Sequence, residues 1–229
     1  MIYHLTASKD AYITNKIVNG ASRATTGNTG YASTIDMFKL YGESNITGDT
    51  AVQTELCRGL ICFDLAHLSS SIMSSIGASS VDKLYDNSNL KIKLQLSDVQ
   101  GTQVAPVNFE LELWPLEAVW DEGLGDNVVT FGDEFPVSWT VAKTGTNWAT
   151  AGAWESTHAW TTNGDVDGQT YIDKQTFVTG EENLELDVTE WVKALWKNAN
   201  GTVGTNYGWA LKFTAAQEGD TASYFVKRF

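Results

Sequence analysis

The chain is poor in cysteine, proline and positive charge: two cysteines, three prolines and 15 lysines plus arginines among 229 residues. Each scarcity excludes something. Two thiols cannot build a disulfide scaffold. Cys57 and Cys62 also share one strand-like stretch, Cys57-Arg58-Gly59-Leu60-Ile61-Cys62-Phe63. Their odd spacing sends them to opposite faces, about 16 Å apart along a strand, which is too far for a bridge. So few thiols fit synthesis in a reducing cytosol, and the sequons Asn45-Ile46-Thr47 and Asn200-Gly201-Thr202 then read as turn sequence. Three prolines are too few for a proline-rich linker. No run of about 18 apolar residues exists to form a membrane-spanning helix. Met1-Ile2-Tyr3-His4-Leu5-Thr6 enters strand-like sequence without the basic and apolar regions of an export signal. The formal charge is −13 and the basic residues are dispersed, which argues against nucleic acid as a partner.

Motifs that carry chemistry are equally scarce. His4, His67 and His158 are widely spaced and belong to no Cys/His or H-E-x-x-H cluster, so a zinc site has no support. Phosphate-binding, dinucleotide-binding and nucleophile-elbow signatures are missing. The nearest approach to a calcium loop is Asn163-Gly164-Asp165-Val166-Asp167-Gly168, but its twelfth position is Lys174 where a bidentate Glu is required. Asp173 is the only substitute, and an Asp/Gly turn explains the residues equally well. The acidic residues Asp121, Glu122, Asp126, Asp133 and Glu134 have the composition of an acid/base pair, yet read more simply as a solvated loop. No catalytic, cofactor-binding or metal-ligating residue is assigned, and the chain is expected not to be an enzyme.

What the chain does have is apolar and aromatic mass: 42% hydrophobic residues and nine tryptophans, ample for one packed domain spanning 1–229. Strand patterns occur at Ile2–Thr6, Ala11–Thr14, Asp36–Tyr41, Arg58–Asp64, Leu90–Leu96, Asn108–Leu113, Leu184–Val188, Tyr207–Phe213 and Ser223–Phe229. Leu90-Lys91-Ile92-Lys93-Leu94-Gln95-Leu96 alternates strictly, as a half-solvated antiparallel strand does. Thr189–Trp196 predicts a short helix with Val192, Leu195 and Trp196 on its buried face and Thr189 as N-cap. Leu65–Gly77, rich in serine, predicts one or two helical turns. A long Gly- and Trp-rich insertion occupies about 121–176. Trp114, Trp120, Trp191, Trp196 and Trp209 are assigned to the core, and Trp148, Trp154 and Trp160 are the candidates for a surface platform.

Several segments, taken in order, resemble the DNRLRE-type family. They are Ala7-Ser8-Lys9-Asp10-Ala11-Tyr12-Ile13, Arg58-Gly59-Leu60-Ile61-Cys62-Phe63-Asp64-Leu65, Trp120-Asp121-Glu122-Gly123, Val137-Ser138-Trp139-Thr140, Leu186-Asp187-Val188-Thr189 and Tyr207-Gly208-Trp209-Ala210-Leu211. The likeness covers nearly the whole chain. It implies an all-β fold, an antiparallel jelly-roll-like β-sandwich with one short helix in its C-terminal half, and a non-catalytic role. The stretches Thr144–Ala153 and Glu181–Asp187 look more like versions from tailed-phage virion proteins. The expectation is therefore a virion structural protein of the tail, neck, baseplate or fibre apparatus. It would be assembled in the host cytoplasm, dock other virion proteins, form a homo-oligomer or symmetric assembly, and need no cofactor, nucleic acid or membrane. The alternative is a carbohydrate-binding or adhesin module that reads host-surface glycans. Family members continue past Ser223–Phe229 into a further strand, so this last strand is expected to lack a partner unless more chain or a neighbouring subunit supplies one.

Overall fold

A computed structural model describes residues 2–19, 22–40, 54–101, 105–131, 136–154, 171–201 and 205–229. In chain order the elements are β1 (Lys9–Thr14), β2 (Ile17–Val18), β3 (Ser22–Arg23), β4 (Asp36–Leu40), β5 (Glu55–Cys62), α1 (Leu65–Ile76), α2 (Asp82–Tyr85), β6 (Lys93–Leu96), β7 (Phe109–Pro115), β8 (Val141–Lys143), β9 (Thr146–Asn147), β10 (Asp173–Phe177), β11 (Leu184–Asp187), α3 (Thr189–Gly201), β12 (Trp209–Phe213), α4 (Ala215–Gly219) and β13 (Phe225–Arg228). Every strand pair is antiparallel. The architecture is the all-β, jelly-roll-like sandwich expected, with four short helices among the described residues.

Strand β5 organises the main sheet. One of its edges carries β1 in unbroken register from Lys9 opposite Cys62 to Thr14 opposite Cys57. Gly59 to Ile61 pair with β12, and Glu55 and Leu56 pair with β4. β12 continues outward to β7 and β10, while β4 continues to β13. The sheet branches beside Gly59, where a Cβ would stand 2.9 Å from the Ile35 side chain, so only glycine lets the β4 limb fold this close. The smaller sheet is β11 paired with β6. It joins β10 through side chains: Gln175 accepts from the Glu185 N–H and donates to the Asn183 carbonyl, and Asp173 accepts from the Asp187 N–H.

Two cores lie on opposite faces of the main sheet. Phe109, Leu111, Leu113, Leu211 and Phe213 point into the first, which β6, β11, α1 and α3 cover with Leu94, Leu186, Ile72, Val192 and Trp196. Leu60, Ala210 and Trp114 point into the second, covered by the 116–154 segment with Trp120, Val137, Trp139 and Trp148.

Differences from the sequence expectation have local causes. Residues 2–7 form no strand; the first ladder contact is the Ser8 N–H to the Cys62 carbonyl, at 2.8 Å. α1 is a full 12-residue helix because Leu65, Leu68, Ile72 and Met73 pack its apolar face on the core; Ser69, Ser70 and Ser75 are accommodated by returning their hydroxyls to the carbonyls of Ala66, Ala66 and Ser71. Asp64 caps its start by accepting from the His67 N–H, and Gly77 ends it at φ 65°. Thr189 does not cap α3: its hydroxyl binds the main chain of Ile92, and Asp187 accepts the Thr189 N–H instead. The last strand does have a partner. β13 pairs with β4 along Asp36–Lys39, Phe229 exchanges two main-chain bonds with Ile35, and its side chain is buried.

Gly208 tests the packing of β12. It sits at φ 90°, and an added Cβ would meet the Ile61 carbonyl oxygen at 2.5 Å. Gly208→Ala is expected to cost at least about 2 kcal/mol, read as a lowered urea midpoint with unchanged slope.

Candidate functional site

Two places concentrate polar chemistry, one on each side of the main sheet. The first is a closed cluster of charge. Arg58 on β5 and Lys212 on β12 point into the second core beside Glu112 on β7 and Glu218 on α4. Arg58 grips Glu218 with two bonds, Nε to Oε1 at 3.0 Å and Nη2 to Oε2 at 2.7 Å, and donates Nη1 to the Gly152 carbonyl at 2.6 Å. Lys212 donates to the Phe213 carbonyl at 2.9 Å and lies 3.6 Å from Glu112 and 3.9 Å from Glu218. Trp114 Nε1 donates to Glu112, and Trp154 stands edge-on to Trp114 at 4.8 Å. Its ring faces Lys212 at 4.8 Å and Arg58 at 5.8 Å, while Trp139 lies 5.1 Å from Arg58. Burial pushes the Lys212 ammonium pKa down, opposed by Glu218 and reinforced by Arg58. Every charge here is answered by another group, so the cluster fastens the Trp-rich segment and α4 to the sheet.

That cluster settles the fate of the tryptophans. Trp148 is buried and donates Nε1 to the Ser138 carbonyl at 2.9 Å, and Trp154 is half-buried over the two cations. Neither offers the flat exposed face that a glycan platform needs, and Trp160 lies outside the described residues. Trp114, Trp120, Trp191, Trp196 and Trp209 are buried as expected.

The second place is a cleft of about 910 Å³. Residues 2–7 form one wall, the run Asn89–Leu96 forms the other, and Phe63, Leu68, Ile72 and Trp209 form apolar floor. Its size is that of an ordinary ligand cleft. The Asn89–Leu96 wall presents a bare strand edge. Val188 donates to the Ile92 carbonyl and Ile92 donates to Thr189 Oγ1, so the main-chain groups of Ile92, Leu94 and Leu96 point to β11. By the antiparallel alternation those of Lys93 and Gln95 point the other way. Among the described residues no group meets them.

Trp209 supplies a second vacancy. The residue is 3% exposed, packs against Phe63 and Trp191, and its indole N–H has no acceptor among the described residues. Buried donors without partners are rare enough to call for an explanation. The charged residues lining the cleft are Lys91, Lys93, Asp10 and His4. Lys93 is ion-paired to Glu185, and burial raises the pKa of the Asp10 carboxyl.

The acidic residues of the sequence reading do other work. Glu122 accepts the Asp10 N–H at 2.7 Å, Asp121 and Asp126 are exposed, and Asp133 and Glu134 lie outside the described residues. So does the whole Asn163–Gly168 loop. Lys174 binds Glu110, and Asp173 spends its oxygens on the N–H groups of Lys174 and Asp187. Cys57 and Cys62 are free, as the strand spacing required. Among the described residues no three His, Cys, Asp or Glu side chains gather as a metal site, and no helix is long and apolar enough to cross a membrane.

Comparison with known proteins leaves the site to speak for itself. No family model, no curated protein and no solved structure matches the chain. The features that matter most were not anticipated: the unpaired edge of β6 and the cations Arg58 and Lys212 beneath tryptophan. The edge depends on where residues 2–7 lie, which no local pattern states. A signal for the cations did exist, since Glu112 and Lys212 fall on the same face of strands that turned out to be direct neighbours.

Two outcomes check these assignments. Arg58→Met leaves Glu218 and the Gly152 carbonyl without their donor and is expected to cost about 3–5 kcal/mol, whereas Arg58→Met with Glu218→Met costs less than Arg58→Met alone; urea unfolding of the set reads the difference. Asp10 tests the cleft wall. Its raised pKa means that the folded chain holds the proton more tightly than the unfolded chain, so ionised Asp10 weakens the fold above that pKa and ceases to do so below the unfolded value of about 3.9. Asp10→Asn should therefore melt higher than wild type at pH 7, with the gap closing towards pH 4.

Proposed function

We propose that the chain is a non-enzymatic structural protein that works by docking, with the cleft beside β6 as its working surface. One observation carries this reading: an unpaired strand edge and an apolar floor, Trp209 included, meet in the same cleft. Those are the requirements of recognition by shape and main-chain hydrogen bonding, with no turnover. The wider setting rests on the resemblance of residue order described above, which points to a tailed-phage virion and to its tail, neck, baseplate or fibre apparatus. Other virion proteins are then the neighbours, in a homo-oligomeric or otherwise symmetric arrangement. The localisation is the particle, built in the host cytoplasm.

The alternative, a module reading host-surface glycans, loses its motive where Trp148 and Trp154 serve the core and the buried cations. The expected outcome is that mass spectrometry of purified particles finds this chain in a fixed ratio to the other virion proteins. Particles that lack it would overturn the virion assignment.

A further inference from the structure

We infer that the cleft is a strand-addition site for an extended segment of a partner protein, apolar at alternate positions and acidic between them, which pairs with the free edge of β6. The inference rests on the docking reading for the role of this surface, and on the cleft itself for the chemistry of what it binds.

The geometry specifies an extended chain. Lys93 and Gln95 each turn an N–H and a C=O away from β11, and main-chain groups of that kind are satisfied together by another strand about 4.8 Å away. The wall from Lys91 to Leu96 runs for six residues, about 20 Å at the rise of a strand, enough to align five or six residues of an incoming chain. Residues 2–7 on the opposite wall are not hydrogen-bonded across to it. Because side chains alternate along a strand, the added segment sends every second one down onto Phe63, Leu68 and Ile72, where only apolar groups are welcome. Trp209, which also lines the cleft, reports on its filling.

The other set of side chains lies on the solvent face beside Lys91, Lys93 and Gln95. What those residues select is visible on the edge already filled. β11 reads Leu184-Glu185-Leu186-Asp187, apolar and acidic in turn. Lys93 is ion-paired with Glu185, Gln95 Nε2 donates to it at 2.8 Å, and, against the opposing effect of burial, hydrogen bonds from Thr189 and then the charges of Lys91 and Lys93 hold the Asp187 carboxyl pKa down. Lys93 and Gln95 turn to Glu185 on the filled edge, yet Lys91 and Lys93 keep the solvent face of β6 positive, so the same alternation complements the empty edge. The chain's charge of −13 does not forbid this, since at physiological ionic strength charges beyond about 8 Å are screened and the nearby lysines decide.

The test uses the full chain and a fluorescent decapeptide repeating Leu-Glu-Leu-Asp. Saturable binding by anisotropy is expected, with slowed amide exchange at Lys93 and Gln95 and a shift of the Trp209 indole N–H resonance, assigned from Trp209→Phe. A peptide with lysine at the acidic positions should bind at least tenfold more weakly. So should the wild-type peptide to Gln95→Pro, because that N–H points away from β11 and its loss spares the existing ladder. If Gln95→Pro does not fold, peptides N-methylated at alternate positions carry the same test on the unmodified chain, and loss of binding is again expected. No saturation, protection at β10 or β13 in place of β6, or equal binding of the lysine peptide would overturn the inference. So would a concentration-dependent dimer with residues 2–7 of a second copy in the cleft. Peptide binding without virion incorporation would sink the virion assignment and leave this one standing; incorporation without peptide binding would do the reverse.

Discussion

A β-strand has two hydrogen-bonding edges, and the structure depends on how β5 divides its pairing. β1 runs along one edge from Cys57 to Cys62, while β12 and β4 take different stretches of the same strand. The division creates the branch, and the branch decides what each face can bury. The β12 limb carries the sheet outward to β7 and β10; the β4 limb brings Met37, Phe229 and Lys227 over the first core. Gly59 stands at the fork because nothing larger fits against Ile35. The smaller sheet then has only two strands, and β6 is left with an edge that the main sheet does not reach.

The two faces of this sheet solve the burial problem differently. The first is covered in the ordinary way, by apolar side chains from β6, β11 and helices. The second buries ions as well as tryptophan, and such ions stay charged only when each is answered. Arg58 and Lys212 are answered by carboxylates, carbonyls and ring faces together. At the border of the first core Lys227 follows the same rule, bound to Asp98 and the Gly180 carbonyl beside Phe177 and Phe229. Ring faces and carbonyls are directional, so these contacts fix where a long, irregular segment lies on the sheet.

Particular residues show how much of this could be read in advance. The alternation of Leu94 with Lys93 and Gln95, and of Leu111 and Leu113 with Glu110 and Glu112, was legible because one face is wet or ionic and the other apolar. The Val192 and Trp196 face of α3 was legible for the same reason. α1 was underestimated because serine has poor helix propensity in general, whereas here Leu65, Leu68, Ile72 and Met73 pack on the core and three of the five serine hydroxyls return to carbonyls three or four residues back. β10 was missed since its exposed positions are polar throughout and its place is set by β7, distant in sequence. Trp148 and Trp154 stood as candidates for a surface platform; the acceptor of Trp148, Ser138, lies just across the β8–β9 hairpin, whereas the two cations under Trp154 come from strands that only tertiary folding brings near. The cleft was invisible in the sequence, being defined by a strand edge that no described residue pairs with.

The order of strands has a consequence for how the chain is made. β5 emerges from the ribosome early, but its neighbour β12 is synthesised much later, after β7, the Trp-rich segment and α3. Until then Gly59, Leu60 and Ile61 hold an unpaired apolar edge, as does β7 on the side that β12 will fill. A topology of this kind folds slowly, since loop closure over a long span must precede the contacts that reward it. The nascent chain is therefore most prone to aggregate in the interval between β7 and β12. Insertion of Trp209 to Phe213 between its two neighbours is the step that ends that exposure, and it makes β12 the keystone of biogenesis as well as of the sheet.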